Sequence, residues 1–104
     1  MKLSYHEGVE MYILRIEHSV LNFEGWKQSF DSDPIGRQKS GVRCYRILRP
    51  TDDSNHVFID LEFDTLSQAE ASLAALRVVW GRVQGKVIMN PKAQIVEGVE
   101  IKKY

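Results

Sequence analysis

Residues 56–63 read HVFIDLEF, the clearest strand pattern in the chain. Apolar side chains recur there at every second position, the period that places them on one face of a β-strand. The opposite face mixes polar and aromatic groups. A strand with one uniformly apolar face is expected to pack helices against that face only. The apolar set is Val57, Ile59, Leu61 and Phe63, and the mixed set is His56, Phe58, Asp60 and Glu62.

A long helical pattern follows this strand. Either residue of 64–65 can cap a helix, and apolar residues then recur three or four positions apart as far as Val87. Two glycines interrupt the second half of the pattern and weaken a helix, so we predict a bend or break after Trp80. The dipeptide at 90–91, Asn-Pro, is expected to end the stretch, and residues 93–101 are predicted to form the last strand.

The elements before residue 56 follow from the same reasoning. Residues 42–49, VRCYRILR, predict a strand that forms a hairpin with the next one across the turn formers of 50–55. Residues 11–18, MYILRIEH, predict the first strand. Between them, an apolar spacing of three and then four predicts a helix over about 22–33, which ends before Pro34.

The resulting βαββαβ order is that of a ferredoxin-like fold of the α+β class, in which two helices cover one face of a four-stranded antiparallel sheet. The first and third strands are neighbours in this topology, so Arg15 should pair with Asp60 on the face away from the helices. That face also carries Met11, Ile13 and Phe58, so it is too apolar for open water and too charged for a dry core. We therefore predict that a second copy of the chain covers it, which makes a homodimer.

Length and composition bound the functional classes. The 104 residues suffice for one domain, placed at 11–104, with residues 1–10 as an N-terminal extension outside the core. The 14 basic residues equal the 14 acidic ones, which argues against a nucleic-acid partner. No apolar run approaches the roughly 20 residues of a membrane span. The single cysteine, Cys44, is expected to be a buried strand residue. It cannot form an internal disulfide, and this favours a location in the cytoplasm.

Four segments carry a resemblance to a known family: MYILRI at 11–16, SGV at 40–42, FDT at 63–65 and PKAQIVE at 91–97. Through them the chain resembles the dimeric α/β-barrel superfamily, and within it the antibiotic-biosynthesis-monooxygenase-like group. The resemblance implies that two subunits join their sheets into a barrel and that each keeps a cleft between its own sheet and helices. Members include cofactor-independent oxygenases of phenolic or quinol substrates, haem degraders and lactone isomerases.

Haem-degrading members of that superfamily place an Asn, a Trp and a His around the haem, with the His on the second helix. Here Trp80 lies on the predicted second helix and Asn22 lies near the first, but none of His6, His18 and His56 is on the second helix. The histidines also lack the spacing typical of a zinc or iron site. We therefore expect no cofactor and no metal.

His18 is the candidate catalytic residue, because alternation places it on the helix-facing side, where an imidazole can accept a phenolic proton. The alternative is a strand-end histidine that bonds to backbone or water. Trp80, Trp26, Tyr12 and Phe30 are candidates for binding an aromatic substrate, or they are core residues. The sequence predicts a small-molecule-binding protein. Its predicted activity is that of a cofactor-independent monooxygenase of an aromatic or quinol-like substrate. A cyclase- or isomerase-like enzyme and a non-catalytic binding or assembly module remain alternatives.

Overall fold

The computed structural model of the protein describes residues 11–104. Its elements follow the predicted βαββαβ order. The expectation that residues 1–10 form an extension lies outside the described residues. The elements are β1 (Tyr12–Val20), α1 (Phe23–Asp31), β2 (Cys44–Leu48), β3 (His56–Phe63), α2 (Leu66–Val83) and β4 (Ile88–Glu97).

The four strands form one antiparallel sheet in the order β2-β3-β1-β4. The two central strands are β1 and β3, as predicted, and their register places Ile16 opposite Ile59 and Arg15 opposite Asp60. Both helices pack on the face that carries the apolar set of β3. The fold is therefore the predicted ferredoxin-like arrangement.

The core lies between this apolar face and the helices. Trp26 of α1 and Ala69 of α2 are buried against it. Burying a side chain the size of Leu or Phe stabilises a fold by about 1.5–3 kcal/mol, so this layer is the main source of stability. The buried strand residues of the core are Leu14, Ile16, Val20, Val57, Ile59, Leu61, Phe63 and Ile88.

Side-chain caps begin both helices where the sequence predicts them. The Asn22 Oδ1 atom accepts a hydrogen bond from the Gly25 backbone N–H at 2.6 Å, and the Thr65 Oγ1 atom accepts one from the Gln68 N–H at 3.2 Å. Each cap satisfies one of the backbone donors that a helix N-terminus leaves unpaired. The first helix ends at Asp31, two residues before the predicted end.

The end of α2 and the start of β4 differ from the prediction. The helix continues past Trp80 to Val83 without a break and ends four residues before Val87. Gly85, with φ of +84°, then turns the chain in a left-handed conformation that favours glycine. The last strand begins at Ile88 rather than 93 and ends at Glu97 rather than 101.

Pro91 lies inside β4, where the sequence predicted a terminator. Two features accommodate it: β4 is an edge strand, and its pairing with β1 shifts register between Glu17 and Ser19. Asn90 adopts a positive φ of 55° at this irregularity. A proline lacks only the N–H that an edge strand or a bulge leaves unused, so the strand continues through it.

The outer face of the sheet, meaning the face away from the helices, centres on Asp60. Its carboxylate accepts hydrogen bonds from Arg15 Nε at 2.9 Å, Arg15 Nη2 at 3.0 Å and Arg46 Nη2 at 2.8 Å, which confirms the predicted pairing of Arg15 with Asp60. Hydrogen bonds from Arg15 hold the pKa of Asp60 below its usual range, although burial acts in the opposite direction. Cys44 also lies on this face and is exposed, not buried as expected, because β2 is an edge strand.

Candidate functional site

A cavity of about 320 Å³ lies between the sheet and the two helices. Its floor is the helix-facing side of β1 and β3. Its walls come from α1 and the loop after it, from the second half of α2 and from the start of β4. The volume is at the lower end of the range for small-molecule pockets, about 300–1,000 Å³. The lining includes His18, Trp26, Phe30, Arg37, Trp80 and Arg82.

Aromatic rings from both helices line the cavity. Trp26 and Phe30 lie four residues apart on α1, so they share one face of the helix, and their ring centroids are 5.2 Å apart. Trp80 reaches the cavity from α2 and is half-buried. Flat apolar surfaces suit a planar aromatic ligand. Three of the four predicted aromatic residues therefore border one cavity.

Tyr12, the fourth, does not line this cavity. It begins β1, opposite Phe63, whereas His18 lies six residues further along the same strand. At about 3.3 Å per residue, that separation is about 20 Å. Tyr12 instead packs against the hydrophobic core at the other end of the sheet.

His18 is buried at the cavity floor, with 3% of its surface exposed. Its Nδ1 atom lies 3.2 Å from the Ser19 carbonyl oxygen, which only accepts hydrogen bonds, so Nδ1 carries the proton. In the neutral ring, Nε2 is then the acceptor, and it makes no hydrogen bond with the described residues. A hydrogen-bond acceptor is therefore available in the same cavity as the aromatic rings.

The environment keeps the His18 ring neutral. Burial lowers the pKa of His18 below its ordinary value of about 6.5, and this effect exceeds the opposite one of the Ser19 carbonyl. A positive charge on His56 lowers it further. The Trp26 ring meets the imidazole edge-on, with centroids 5.8 Å apart. At neutral pH, His18 is therefore a proton acceptor and not a cation.

Two arginines that line the cavity were not singled out by any sequence pattern. Arg37 comes from the loop between α1 and β2, and Arg82 comes from the last turn of α2. The Arg37 Nη1 atom donates to the Phe30 carbonyl oxygen at 2.9 Å, and its guanidinium lies 3.9 Å above the Phe30 ring. No periodicity marks either residue, since a loop position has no period and Arg82 belongs to the polar side of a helical pattern.

The described residues do not assemble the Asn, Trp and His set of the haem-degrading members. Asn22 is engaged as the cap of α1, and neither described histidine lies on α2. Residues 11–104 contain no group of three His, Cys, Asp or Glu side chains close enough to hold a metal ion. Within the same range, no helix is long and apolar enough to cross a membrane.

Comparison with known proteins gives a match at the level of structure. No protein-family model matches the chain, and no curated protein is similar to it in sequence. SnoaB, a cofactor-independent oxygenase of Streptomyces nogalater, superposes with a TM-score of 0.70 at 9% identity over 88% of this chain and 96% of that one. A proposed antibiotic biosynthesis monooxygenase of Nitrosomonas europaea superposes with a TM-score of 0.60 at 18% identity over 88% and 92%.

A third solved structure, a dimeric ferredoxin-like protein of an uncultured marine organism, superposes with a TM-score of 0.62 at 12% identity. It covers 88% of this chain and 98% of that one, so the likeness extends over the whole domain. Identities this low relate the folds and leave the activities open. The chain therefore shares the ferredoxin-like fold of these solved structures, which is the fold that the resemblance in sequence predicted.

Proposed function

We propose that the protein binds a planar aromatic or quinol-like molecule in the cavity and that His18 accepts a phenolic proton from it. The observation that carries this proposal is the position of His18 in the same cavity as Trp26 and Trp80, with an Nε2 atom that makes no hydrogen bond to the described residues. A general base must reach the proton that it takes, and its pKa must leave it unprotonated at the working pH. The position of His18 at the cavity floor and the lowered pKa of its buried ring support this role.

Monooxygenation is the reaction that we place first. Loss of the phenolic proton makes the ring electron-rich, so the ring can supply the electrons that reduce O2. One oxygen atom then becomes a new ring carbonyl and the other leaves as water with the phenolic and ring hydrogens, so that phenol and O2 give quinone and water without an external reductant. SnoaB, which shares the fold, is described as a cofactor-independent oxygenase, and this supports the proposal. A cyclase- or isomerase-like enzyme would use the same proton transfer without oxygen, and a non-catalytic module would bind the ligand without turnover.

The binding test uses 2-naphthol as the phenolic ligand and isothermal titration calorimetry across pH 5 to 8. We expect its affinity to rise with pH through the pKa of His18, because the unprotonated Nε2 can accept the phenolic hydrogen bond. His18→Gln should remove this pH dependence. His56→Gln is the matched control, since His56 lies on the outer face of the sheet, where it bonds to Glu17 at 2.9 Å. An unchanged pH profile in His18→Gln contradicts the assignment.

The reaction test follows oxygen consumption with 1,4-dihydroxynaphthalene. Wild-type protein should consume oxygen faster than the buffer does, and His18→Gln should return the rate to that of the buffer. Conversion of a substrate without oxygen uptake would support the isomerase-like alternative. Thermal stabilisation by the ligand with no conversion at all would indicate a binding module.

We also propose that the protein is a homodimer that buries the outer face of the sheet. The outer face combines the shielded Asp60 with Leu48, which is 47% exposed, and with the partly exposed Phe58. One of the solved structures with this fold is a dimeric ferredoxin-like protein, which supports the proposal. Symmetric pairing of this face would remove the exposed apolar area from water.

Sedimentation at micromolar concentration tests the dimer and should give twice the chain mass. Leu48→Asp and Phe58→Asp should each lower that mass or the yield of folded protein. Val78→Asp is the matched control, because Val78 is 57% exposed on α2, away from the outer face. A wild-type monomer, or equal effects of Leu48→Asp and Val78→Asp, would contradict the proposal.

A further inference from the structure

Among the described residues, the ionisable side chains that line the cavity are all basic. They are His18, Arg37 and Arg82, and the nearby Asp33, 3.5 Å from Arg37, is not part of the lining. We infer that the ligand carries an acidic group, a carboxylate, that binds at the rim between these arginines while its phenolic end faces His18. This inference rests on the proposed function, because it assigns the substrate class of the same cavity.

Arg37 is held in place with donors to spare. Only 16% of its side chain is exposed, and its Nη1 atom is shared between the Phe30 carbonyl oxygen and Asp33 Oδ1, the latter at 3.5 Å. A guanidinium has five N–H donors in a planar fork. The Nε and Nη2 donors of Arg37 make no hydrogen bond with the described residues. A carboxylate could therefore bind without displacing the contacts that fix the loop.

Arg82 supplies the second charge and has no acidic partner among the described residues. It lies two residues after Trp80 in the last turn of α2 and is exposed. A lysine or arginine in the last turn also offsets the negative end of the helix dipole, which is the role that needs no ligand. The two roles predict different behaviour when Arg82 is replaced and ligand binding is measured.

The two ends of the cavity differ in polarity. His18 is buried at the floor, whereas Arg82 is exposed at the rim. A carboxylate that enters such a rim gains attraction from both guanidinium groups, and the apolar walls of the cavity weaken screening by water. A phenol without an acidic group gains nothing from them. The ligand class is therefore a hydroxyaryl carboxylate, with the hydroxyl and the acid at opposite ends of a flat ring system.

The test compares 2-naphthol with 6-hydroxy-2-naphthoate, which share a ring system and a phenolic group and differ by one carboxylate. We expect wild-type protein to bind the carboxylate about three- to ten-fold more tightly, within the range of a partly exposed ion pair. This advantage should shrink at high salt. Arg82→Gln should reduce this advantage to below about three-fold, because only Arg37 then attracts the carboxylate, and it should change the affinity for 2-naphthol by less. Arg77→Gln, at an exposed position of α2 outside the cavity, is the matched control and should keep the full advantage.

The outcomes separate this inference from the proposal on which it rests. If 2-naphthol binds and the carboxylate brings no advantage, the anionic ligand is wrong and the aromatic cavity stands. Equal effects of Arg82→Gln and Arg77→Gln also overturn the inference, since any charge on α2 would then suffice. If neither compound binds, the proposed function fails and the inference fails with it.

Discussion

Replacing Asp60 by asparagine should destabilise the protein by about 1–3 kcal/mol. The carboxylate accepts three hydrogen bonds from charged donors at 2.8–3.0 Å, and each such bond contributes about 1.5–3 kcal/mol when its partner is buried. The donors are more exposed than Asp60: 48% of the Arg15 side chain and 62% of the Arg46 side chain are accessible, against 7% for Asp60. Water can therefore solvate the released guanidinium groups. The loss should stay below the roughly 3–5 kcal/mol of a fully buried pair.

Denaturant and thermal unfolding at one fixed protein concentration measure this effect, since a dimer makes stability depend on concentration. A loss of about 1–3 kcal/mol should lower the midpoint of a domain this size by more than about 4 °C. Asp64→Asn is the matched control. Asp64 forms an ion pair with Arg43 at 2.8 Å, but both side chains are exposed. The unfolding midpoint of Asp64→Asn should therefore equal that of wild type.

Lowering the pH tests the contribution of Asp60 to stability in a second way. The pKa of Asp60 is lower in the folded chain than in the unfolded one, so its contribution is present above about pH 4 and is lost as the pH falls through the folded value. The stability difference between wild type and Asp60→Asn should close over that interval. A difference that stays constant in acid, or a variant as stable as wild type at pH 7, would refute the assignment of this ion triad as a stabilising contact.

The remaining predictions concern two glycines, His18 and residues 1–10. Gly41→Ala should lower the free energy of unfolding by at least about 1 kcal/mol in denaturant, because φ is +99° and a Cβ atom would lie 2.7 Å from the Gln68 amide. Gly81→Ala has open space around it and should stabilise α2 by up to about 1 kcal/mol. His18→Gln should be less sensitive to acid than wild type in thermal melts as the pH falls below about 6.5, because burial lowers the folded pKa of His18 and protonation therefore favours the unfolded chain. A chain that starts at Met11 should melt within a few degrees of the full chain if residues 1–10 lie outside the core.

Alternation of apolar residues was enough to predict the centre of the fold. The bounds of β3, His56–Phe63, match the alternating stretch because both of its neighbours in the sheet enforce the same two-residue period. The contact of Arg15 with Asp60 followed from topology alone, since β1 and β3 are adjacent in every sheet of this order. Central strands are predictable because their environment is uniform along their length.

The start of β4 was not predictable, because the meaning of Pro91 depends on where the strand lies in the sheet. In a central strand a proline removes a needed donor, and in the edge strand observed here it removes none. Only the assembled sheet distinguishes these cases. The same limit applies to the cavity. Alternation predicts that Tyr12 and His18 lie on one face of β1, but it does not predict at which end of β1 the helices leave a space.

The two faces of the sheet are separated in space but coupled by charge through His56. His56 lies on the outer face, opposite Ser19 and one residue from the position that faces His18. When His56 is protonated, its charge lowers the pKa of His18. His56→Gln should therefore keep the pH dependence of 2-naphthol binding but move its midpoint to slightly higher pH. A midpoint that moves to lower pH would contradict the coupling. Loss of the pH dependence in His56→Gln would indicate that His56, and not His18, is the proton acceptor.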